Sequence, residues 1–304
     1  MTNSRLRRTM LYVPGNMPSM LQNVPFFKCD SVILDLEDAV NHAEKDAARN
    51  LVRHFLSTWK VRDKEVLVRI NPLNTKWGHD DLKAILPEMP DAIRFPMCET
   101  PELALELEAE LAKYESAHAL EIGHFGILPS IETVKSVLNA YAIATSCKRI
   151  FGLAFGAEDY TASMGIARTN SGEDLMHPRM MIVMAAKAAG IQAIDTVFSD
   201  VNDMDGLRRE TELVKRLGYT GKSLVNPRQI DIIHEAFAPK QEEIDYAQEV
   251  VEAIKQAHES GTGVISLKGK MVDAPVVKRA IHTLQLAYAQ GLIDTPVDEE
   301  ILNG

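Results

Sequence analysis

Eight short apolar segments recur along the chain, and segments with helical patterns separate them. The apolar segments cover residues 10–13, 31–36, 65–70, 92–97, 126–131, 149–155, 193–198 and 221–226. Their hydrophobicity is continuous instead of alternating, which is typical of strands buried on both faces of a parallel sheet. Eight such strands alternating with helices predict a (β/α)8 barrel, the TIM barrel. An open doubly wound sheet is the alternative, and its dinucleotide-binding form is disfavoured because no G-x-G-x-x-G motif follows the first segment.

Helix signals fill the gaps between these strands. Residues 43–59 place Ala47, Leu51, Phe55 and Trp59 four residues apart, which predicts one apolar stripe on an amphipathic helix. Other gaps have proline near the start or glycine just past the end of the helical pattern. The strand–helix alternation therefore extends over most of the chain.

The pattern changes after Pro239. Residues 242–260 and 276–290 have helical patterns, and the stretch between them looks like a β-hairpin. The turn points of this stretch are Gly261, Gly263 and Gly269. A tail of this size has too little core to fold alone. We therefore predict a catalytic barrel over residues 1–239 and a C-terminal helix–hairpin–helix extension over 240–304, which packs on the barrel or on a neighbouring subunit.

Composition excludes several classes of partner. The net charge is -10, with 43 acidic and 33 basic residues, which argues against nucleic-acid and anionic-membrane binding. Cys29, Cys98 and Cys147 lie far apart, have no metal-ligand spacing and suit a reducing compartment. The chain has no signal-peptide pattern and no apolar stretch long enough to span a membrane. We predict a cytoplasmic protein.

Polar side chains follow five of the eight predicted strands, at the ends where barrel enzymes carry their active sites. They are Glu37 and Asp38 after the second strand, Arg69 and Asn71 after the third, Glu132 after the fifth, Glu158 and Asp159 after the sixth, and Asn226 after the eighth. Asp35 also lies near the end of the second strand. Strand alternation predicts that it faces away from Asp38, so Asp35 is left out of the site.

Several carboxylates on one rim repel one another unless a cation lies between them. Mg²⁺ prefers oxygen ligands and takes one or two protein carboxylates, so we predict Glu132 and Asp159 as its direct ligands. Glu37 and Asp38 are predicted to hold water around the ion. The planar guanidinium of Arg69 can donate two parallel hydrogen bonds to a carboxylate, so we predict that Arg69 binds a carboxylate of the substrate.

Each of these residues also has a simpler role open to it. Glu132 or Asp159 could cap the helix that follows, and Arg69 could only pair with Glu37 or Asp38. Their occurrence together at matching strand ends favours a site. No zinc-protease motif, Cys–His arrangement or nucleophile elbow is present, so zinc hydrolysis and a serine nucleophile are disfavoured.

Longer motifs resemble a known family. They include “RRTMLYVPGN”, “DSVILDLEDAV”, “VLVRINP”, “ILPSIET”, “LAFGAEDY”, “GKSLVNPRQI” and “GKMVDAPVVKRA”. Together they closely resemble the citrate lyase beta subunit family, the citryl-ACP lyases, and the resemblance covers nearly the whole chain. The wider family includes malyl-CoA and citramalyl-CoA lyases and belongs to the phosphoenolpyruvate/pyruvate-binding barrels.

The resemblance implies an oxo-acid lyase that depends on Mg²⁺, with Mn²⁺ as the alternative ion. Arg69 would bind substrate, and Glu132 and Asp159 would bind the metal, with Glu132 also close to substrate. Asp273 would supply a catalytic carboxylate from the C-terminal segment, often that of an adjacent subunit. An aspartate before Ala-Pro is also common in ordinary turns.

The implied reaction cleaves a citryl thioester to oxaloacetate and an acetyl thioester. The thioester belongs to a prosthetic group carried by an acyl carrier protein. The implied partners are the acyl carrier protein subunit and the transferase subunit of a citrate lyase complex, together with further copies of the chain in a homo-oligomer.

Three alternatives stay open. A stand-alone lyase for citramalyl-CoA, malyl-CoA or citryl-CoA would use the same site, although “LVNPRQI” is more similar to the carrier-protein subunit than to the “IHP” of the CoA lyases. The other two are a Schiff-base aldolase using Lys222 and a structural or carrier-docking subunit. Arg5, Arg7 and Arg8 could bind phosphates of the prosthetic group or be surface charges.

Overall fold

The computed structural model describes residues 5–59, 61, 63–169, 171–260, 265–267 and 270–296. The chain divides into two compact units, Met1–Phe237 and Ala238–Gly304. The boundary lies close to Pro239, where the sequence pattern changes. The roles predicted for the two segments stay predictions.

The first unit contains a closed barrel of eight parallel strands in sequence order, so the predicted (β/α)8 barrel is confirmed. The strands are β1 (Thr9–Pro14), β2 (Ser31–Asp35), β3 (Glu65–Arg69), β4 (Ala92–Phe95), β5 (Gly126–Ile131), β6 (Gly152–Phe155), β7 (Gln192–Asp195) and β8 (Gly221–Leu224). β8 pairs with β1, which closes the sheet and leaves no edge.

Helices connect successive strands. The α-helices of the first unit are α1 (Pro18–Leu21), α2 (Lys45–Thr58), α3 (Gly78–Ile85), α4 (Pro101–Ala117), α5 (Val134–Leu138), α6 (Ala140–Ala144), α7 (Ala157–Met164), α8 (Met176–Ala188), α9 (Met204–Leu217) and α10 (Ile230–Phe237). Short 3₁₀ helices cover Val24–Phe26, His42–Glu44, Leu86–Glu88, Glu173–Leu175 and Pro227–Gln229. Across the described ranges, no helix is both long and apolar enough to cross a membrane.

The apolar stripe predicted on α2 is wrong by about one residue. Of its four members only Phe55 is buried, whereas Ala48, Val52 and Leu56 form the rest of the buried face. Trp59 follows the last residue of the helix and is exposed, so it does not belong to the buried face of α2.

Apolar side chains fill the barrel interior near its middle. The inward-facing members are Met10, Ile33, Leu67, Ala92, Leu128, Phe151, Ala154 and Ile194. Strand alternation places the residue two positions further along on the same face, nearer the carboxyl end. In β1 to β5 these residues are Tyr12, Asp35, Arg69, Arg94 and Ser130. The interior therefore changes from apolar to polar towards the strand ends that carry the candidate site.

The amino ends of the strands are closed by ion pairs. Arg7 is fully buried, and its Nε donates to Glu65 over 2.6 Å. Arg8 Nη2 donates to Asp30 over 2.7 Å. Arg7 is therefore neither a surface charge nor available to the phosphates of a prosthetic group, because its guanidinium is buried and paired. Phosphate binding by Arg5 and Arg8, whose side chains are partly exposed, stays a prediction.

The second unit contains α11 (Gln241–Ser260), the antiparallel strands β9 (Ile265–Leu267) and β10 (Lys270–Val272), and α12 (Ala274–Ala289). This is the predicted helix–hairpin–helix order. Buried residues such as Val250 and Leu284 give the unit a small core of its own. The predicted turn points are Gly261, Gly263 and Gly269, and all three lie outside the described residues.

Candidate active site

Arg69 is the last residue of β3, and its guanidinium lies among three carboxylates. Nε and Nη2 donate to the two oxygens of Asp35 over 2.7 and 2.6 Å, and Nη1 donates to Asp38 over 3.2 Å. Glu37 Oε2 lies 2.8 Å from the same Nη1 but accepts no hydrogen bond of acceptable geometry. The exclusion of Asp35 was wrong. Asp35 faces Arg69 directly in the β2–β3 register, and Asp38 reaches Arg69 from the loop, where strand alternation no longer applies.

The simpler role considered for Arg69 is present in the structure, since it pairs with both Glu37 and Asp38. Although burial opposes the charge, Asp35 raises the pKa of Arg69 well above its usual range. Substrate binding by Arg69 stays a prediction. A substrate carboxylate has to compete with Glu37 and Asp38 at Nη1, because Asp35 occupies the other edge of the guanidinium.

Glu132 follows β5 and is 4% exposed. Its Oε1 accepts a hydrogen bond from the backbone N–H of Met97 over 2.5 Å. Its Oε2 packs against Gly156, where an added Cβ would lie 2.7 Å from that oxygen. Thr133 caps α5 instead, so Glu132 is not a helix cap. The structure therefore holds the Glu132 carboxylate firmly without giving it a capping role.

Asp159 lies exposed in the first turn of α7, and no side chain caps that helix at Gly156. Partial burial and the charge of Asp38 raise the pKa of Asp159. Burial also raises the pKa of Glu132, and the negative charge of Asp159 adds to this effect. For Glu37, burial raises the pKa to about 8, with neighbouring acids adding to the shift and Arg69 opposing it. The predicted site residues therefore lie close enough to influence one another's protonation.

The carboxylates fit a hard cation. In the described part of the chain, no three His, Cys, Asp or Glu side chains are arranged to hold a metal ion by themselves. Mg²⁺ commonly uses one or two protein carboxylates and completes its shell with water and substrate oxygens. Glu37 Oε2 is buried and accepts no hydrogen bond, although it lies 2.8 Å from Arg69 Nη1. After the larger effect of burial, Asp159 adds to the raised pKa of Glu132 and Asp38 to that of Asp159, so these acids lie close enough to share a cation. The assignment of Glu132 and Asp159 as metal ligands stays a prediction.

Lys45 is a site residue that the sequence reasoning missed. It is buried at the start of α2, and its Nζ donates to the backbone carbonyls of Leu36 and Glu37 over 2.9 and 2.7 Å. Burial lowers the pKa of Lys45. The lysine fixes the loop that carries Glu37 and Asp38. A cation in the first turn of a helix opposes the helix dipole, and this was the available signal.

The structure contradicts Lys222 as a Schiff-base nucleophile. Its Nζ is fully buried and lies 2.6 Å from both Asp195 Oδ2 and Glu210 Oε1. Glu210 belongs to α9, so the amine points towards the helices. A nucleophilic lysine needs a neutral, accessible amine.

Asp273 lies in the second unit, is exposed and caps α12. Its Oδ1 accepts a hydrogen bond from the backbone N–H of Val276 over 3.1 Å. The simpler structural role is therefore present, and a catalytic role for Asp273 stays a prediction.

The fold and the site define a class. A closed (β/α)8 barrel with acids and arginines gathered at the carboxyl strand ends is the arrangement of a barrel enzyme. The sequence model of HpcH/HpaI aldolase/citrate lyase matches residues 8–227. The chain belongs to this family, and it is a lyase.

Characterised relatives match nearly the whole chain. Citrate lyase subunit beta from Leuconostoc mesenteroides subsp. cremoris is 45% identical over 295 residues, which are 97% of this chain and 98% of that protein. The subunit of the same name from Escherichia coli K12 is 43% identical over 289 residues, covering 95% and 96%. Mitochondrial citramalyl-CoA lyase from Rattus norvegicus is 33% identical over 291 residues, covering 92% and 86%.

Solved structures of similar proteins contain magnesium. CitE from Mycobacterium tuberculosis in complex with magnesium, acetoacetate and coenzyme A is 28% identical, with a TM-score of 0.76 over 93% of this chain and 99% of that one. The citrate lyase beta subunit from the same organism, complexed with oxaloacetate and magnesium, is 28% identical, with a TM-score of 0.67 over 79% and 100%.

Proposed function

We propose that the chain is the subunit of a citrate lyase that cleaves a citryl thioester, carried by an acyl carrier protein, to oxaloacetate and the acetyl thioester. The observation that carries this proposal is the 45% identity to citrate lyase subunit beta over nearly the full length of both proteins. The cluster of acids around Arg69 at the strand ends supports the proposal, because both the substrate and the oxaloacetate product are polyanions that need a cation there.

Glu132 and Asp159 are the residues proposed to hold Mg²⁺. When bound, this ion supplies Lewis-acid stabilisation of negative charge on the substrate oxygens. The assignment draws support from the magnesium in the two M. tuberculosis structures. Mn²⁺ shares the preference for hard oxygen ligands and is the alternative ion. Glu37 and Asp38 are proposed to orient water at the rim, and Lys45 keeps their loop in place.

The reaction breaks one carbon–carbon bond. The tertiary hydroxyl passes its proton to the water proposed to lie at Glu37 and Asp38 as the ketone of oxaloacetate forms. The electron pair of the broken bond passes to the methylene carbon of the thioester fragment. Asp273 is proposed to donate a proton to that carbon, which becomes the methyl group of the acetyl thioester. Arg69 is proposed to orient a substrate carboxylate through Nη1.

The name citrate lyase subunit beta supports a complex with other subunits, and we propose which partners these are. They are the carrier protein with its thioester prosthetic group, the transferase subunit of the complex, and further copies of this chain. A homo-oligomer would allow Asp273 of one copy to act at the barrel of another.

A stand-alone acyl-CoA lyase is the second candidate. The 33% identity to citramalyl-CoA lyase and the coenzyme A in the M. tuberculosis structure favour it. Purified protein with Mg²⁺ would be given carrier-bound citryl thioester, citryl-CoA, citramalyl-CoA and malyl-CoA separately, and keto-acid release would be measured. Preference for the carrier-bound citryl thioester supports our proposal, and preference for citramalyl-CoA or malyl-CoA rejects it.

Metal dependence and the docking-subunit alternative are tested with the same assay. EDTA is expected to abolish turnover, and added Mg²⁺ to restore it. Asp159→Asn is expected to lower turnover by about 10²-fold or more. The matched control is Asp205→Asn, which removes an exposed acid from the first turn of α9 and should leave turnover unchanged. Full turnover by Asp159→Asn would reject Asp159 as a metal ligand. No turnover on any of these substrates by unaltered, correctly assembled protein would instead favour a structural or carrier-docking subunit.

A further inference from the structure

Arg94 carries a buried positive charge on the interior wall of the barrel. It lies in β4, is 1% exposed, and stands beside Arg69 in the sheet register. Its Nη1 donates to the carbonyl of Pro129 over 3.3 Å, and its Nε has no hydrogen-bond partner. In the part of the chain that the structure describes, no carboxylate forms an ion pair with Arg94.

The other buried arginines of the described chain all have an acid close by. The shortest nitrogen–oxygen distances are 2.6 Å for Arg7 and Glu65, 2.6 Å for Arg69 and Asp35, 2.6 Å for Arg149 and Glu115, and 2.9 Å for Arg179 and Asp195. An unpaired buried charge is costly, so proteins pair such groups or use them to bind a ligand. Arg94 therefore differs from these four arginines, each of which has an acid within 3 Å.

Arg94 lies beneath the candidate metal site. It projects inwards from β4, and its positive charge is close enough to Glu132 to lower the pKa of that acid, against the larger effect of burial. Ser130, at an inward position of the neighbouring strand, also has a buried hydroxyl without a hydrogen-bond partner. On the adjacent strand β6, Ala154 pairs with Ser130 in the register and has only a methyl side chain. The wall below the mouth therefore offers one positive charge and one unused hydroxyl.

These groups match a difference between the candidate substrates. A citryl thioester has a carboxymethyl arm where a citramalyl thioester has a methyl group and a malyl thioester has hydrogen. We propose that Arg94, assisted by the Ser130 hydroxyl, binds the carboxylate of this arm and selects citryl over citramalyl and malyl thioesters. The inference rests on the proposed function, since it assigns a specificity residue to the same site. The arm points from the strand ends into the barrel, and its carboxylate supplies the ion-pair partner that Arg94 does not have among the described residues.

The test compares Arg94→Met with the unaltered protein on citryl-CoA and citramalyl-CoA. We expect kcat/KM for citryl-CoA to fall by about 10²-fold, because a buried charged contact to the substrate is lost, and kcat/KM for citramalyl-CoA to change by less than about threefold. Arg94→Lys keeps the charge and should recover part of the loss. The control is Lys76→Met, which removes an exposed positive charge from the β3–α3 segment at the same end of the barrel. It should leave the ratio of kcat/KM for citryl-CoA to kcat/KM for citramalyl-CoA unchanged.

Product binding gives a second measurement. Oxaloacetate and pyruvate differ by the same carboxymethyl arm, so the unaltered protein with Mg²⁺ should bind oxaloacetate more tightly. In Arg94→Met this preference for oxaloacetate should fall by about 10²-fold, like the preference for citryl-CoA. If this variant does not fold, Arg94→Lys is measured in its place and should narrow the ratio by about tenfold. An equal loss on both substrates, or an unchanged ratio, overturns the inference.

The two levels of proposal fail differently. Unaltered protein that cleaves citramalyl-CoA or malyl-CoA in preference to citryl thioesters rejects the proposed function and the inference together. Unaltered protein that prefers citryl thioesters, with a preference that Arg94→Met and Arg94→Lys leave intact, rejects only the role of Arg94.

Discussion

Gly156 lies between β6 and α7, and its missing side chain gives Glu132 room. Its φ of -114 and ψ of 94 describe an extended backbone that alanine also adopts, so glycine is not required for conformation. An added Cβ would lie 2.7 Å from both the Cβ and the Oε2 of Glu132. We predict that Gly156→Ala displaces the Glu132 carboxylate and leaves the barrel folded.

The size of the effect follows from the contact. Ordinary Cβ contacts begin near 3.4 Å, so the 2.7 Å contact requires a retreat of about 0.7 Å. This movement strains the hydrogen bond that Glu132 accepts from Met97. Misplacement of a reacting group by about 1 Å costs about 10²-fold in rate. Overpacking destabilises a protein by about 1–3 kcal/mol, and replacing glycine by alanine restricts the unfolded chain, which stabilises the fold by about 0.4–1 kcal/mol. The net loss of stability should therefore be about 2.6 kcal/mol at most.

Calorimetric titration with Mg²⁺, kcat/KM for keto-acid release and thermal unfolding would be measured on the same preparation of Gly156→Ala. We expect Mg²⁺ binding to weaken by about tenfold or more and kcat/KM to fall by about 10²-fold. Ala162→Ser adds one atom to an exposed position on the same helix and serves as the control. Metal affinity and kcat/KM within twofold of the unaltered protein would refute the reasoning that this contact positions Glu132.

Three further perturbations test the charge pattern. Asp35→Asn should lower the free energy of unfolding by about 3 kcal/mol in urea titrations, because it leaves buried Arg69 without its bidentate partner; a loss below about 1 kcal/mol would contradict this. Lys222→Met should cost about 3–5 kcal/mol by leaving buried Asp195 short of a cation, and borohydride with substrate should trap no adduct on the unaltered protein; a trapped adduct would restore the Schiff-base mechanism. Because burial raises the pKa of Glu37 from 4.5 to about 8, the folded state holds a proton that the unfolded chain releases. The free energy of unfolding of the metal-free protein should therefore fall as the pH rises from 4.5 to about 8. Glu37→Gln should make this fall with pH shallower, and an equally steep fall in that variant would exclude Glu37 as its source.

The sequence was sufficient to predict the barrel because each strand is an uninterrupted apolar run bounded by helical patterns. The pair of Asp35 and Arg69 was not predictable in the same way, since it depends on the register between two strands, which neither strand encodes alone. Arg94 left a signal that was not used: a charged residue inside the apolar run “AIRFPM” has to be buried with its charge. Lys45 left a weaker signal at the start of a helix.

The two ends of the barrel differ in how completely their buried acids are paired with cations. At the amino ends, Glu65 is paired with Arg7 and Asp30 with Arg8, so these acids are neutralised within the fold. At the carboxyl ends, the acids outnumber the two arginines on the interior wall; they are Asp35, Glu37, Asp38, Glu132 and Asp159. One of those arginines, Arg94, has no ion-pair partner among the described residues, although its charge acts on Glu132. Excess acid near an unpaired cation is difficult to explain as stabilisation, because closer pairing would lower the free energy of the fold. It is the arrangement expected if a divalent cation binds to the acids and a polyanionic substrate binds to the arginine.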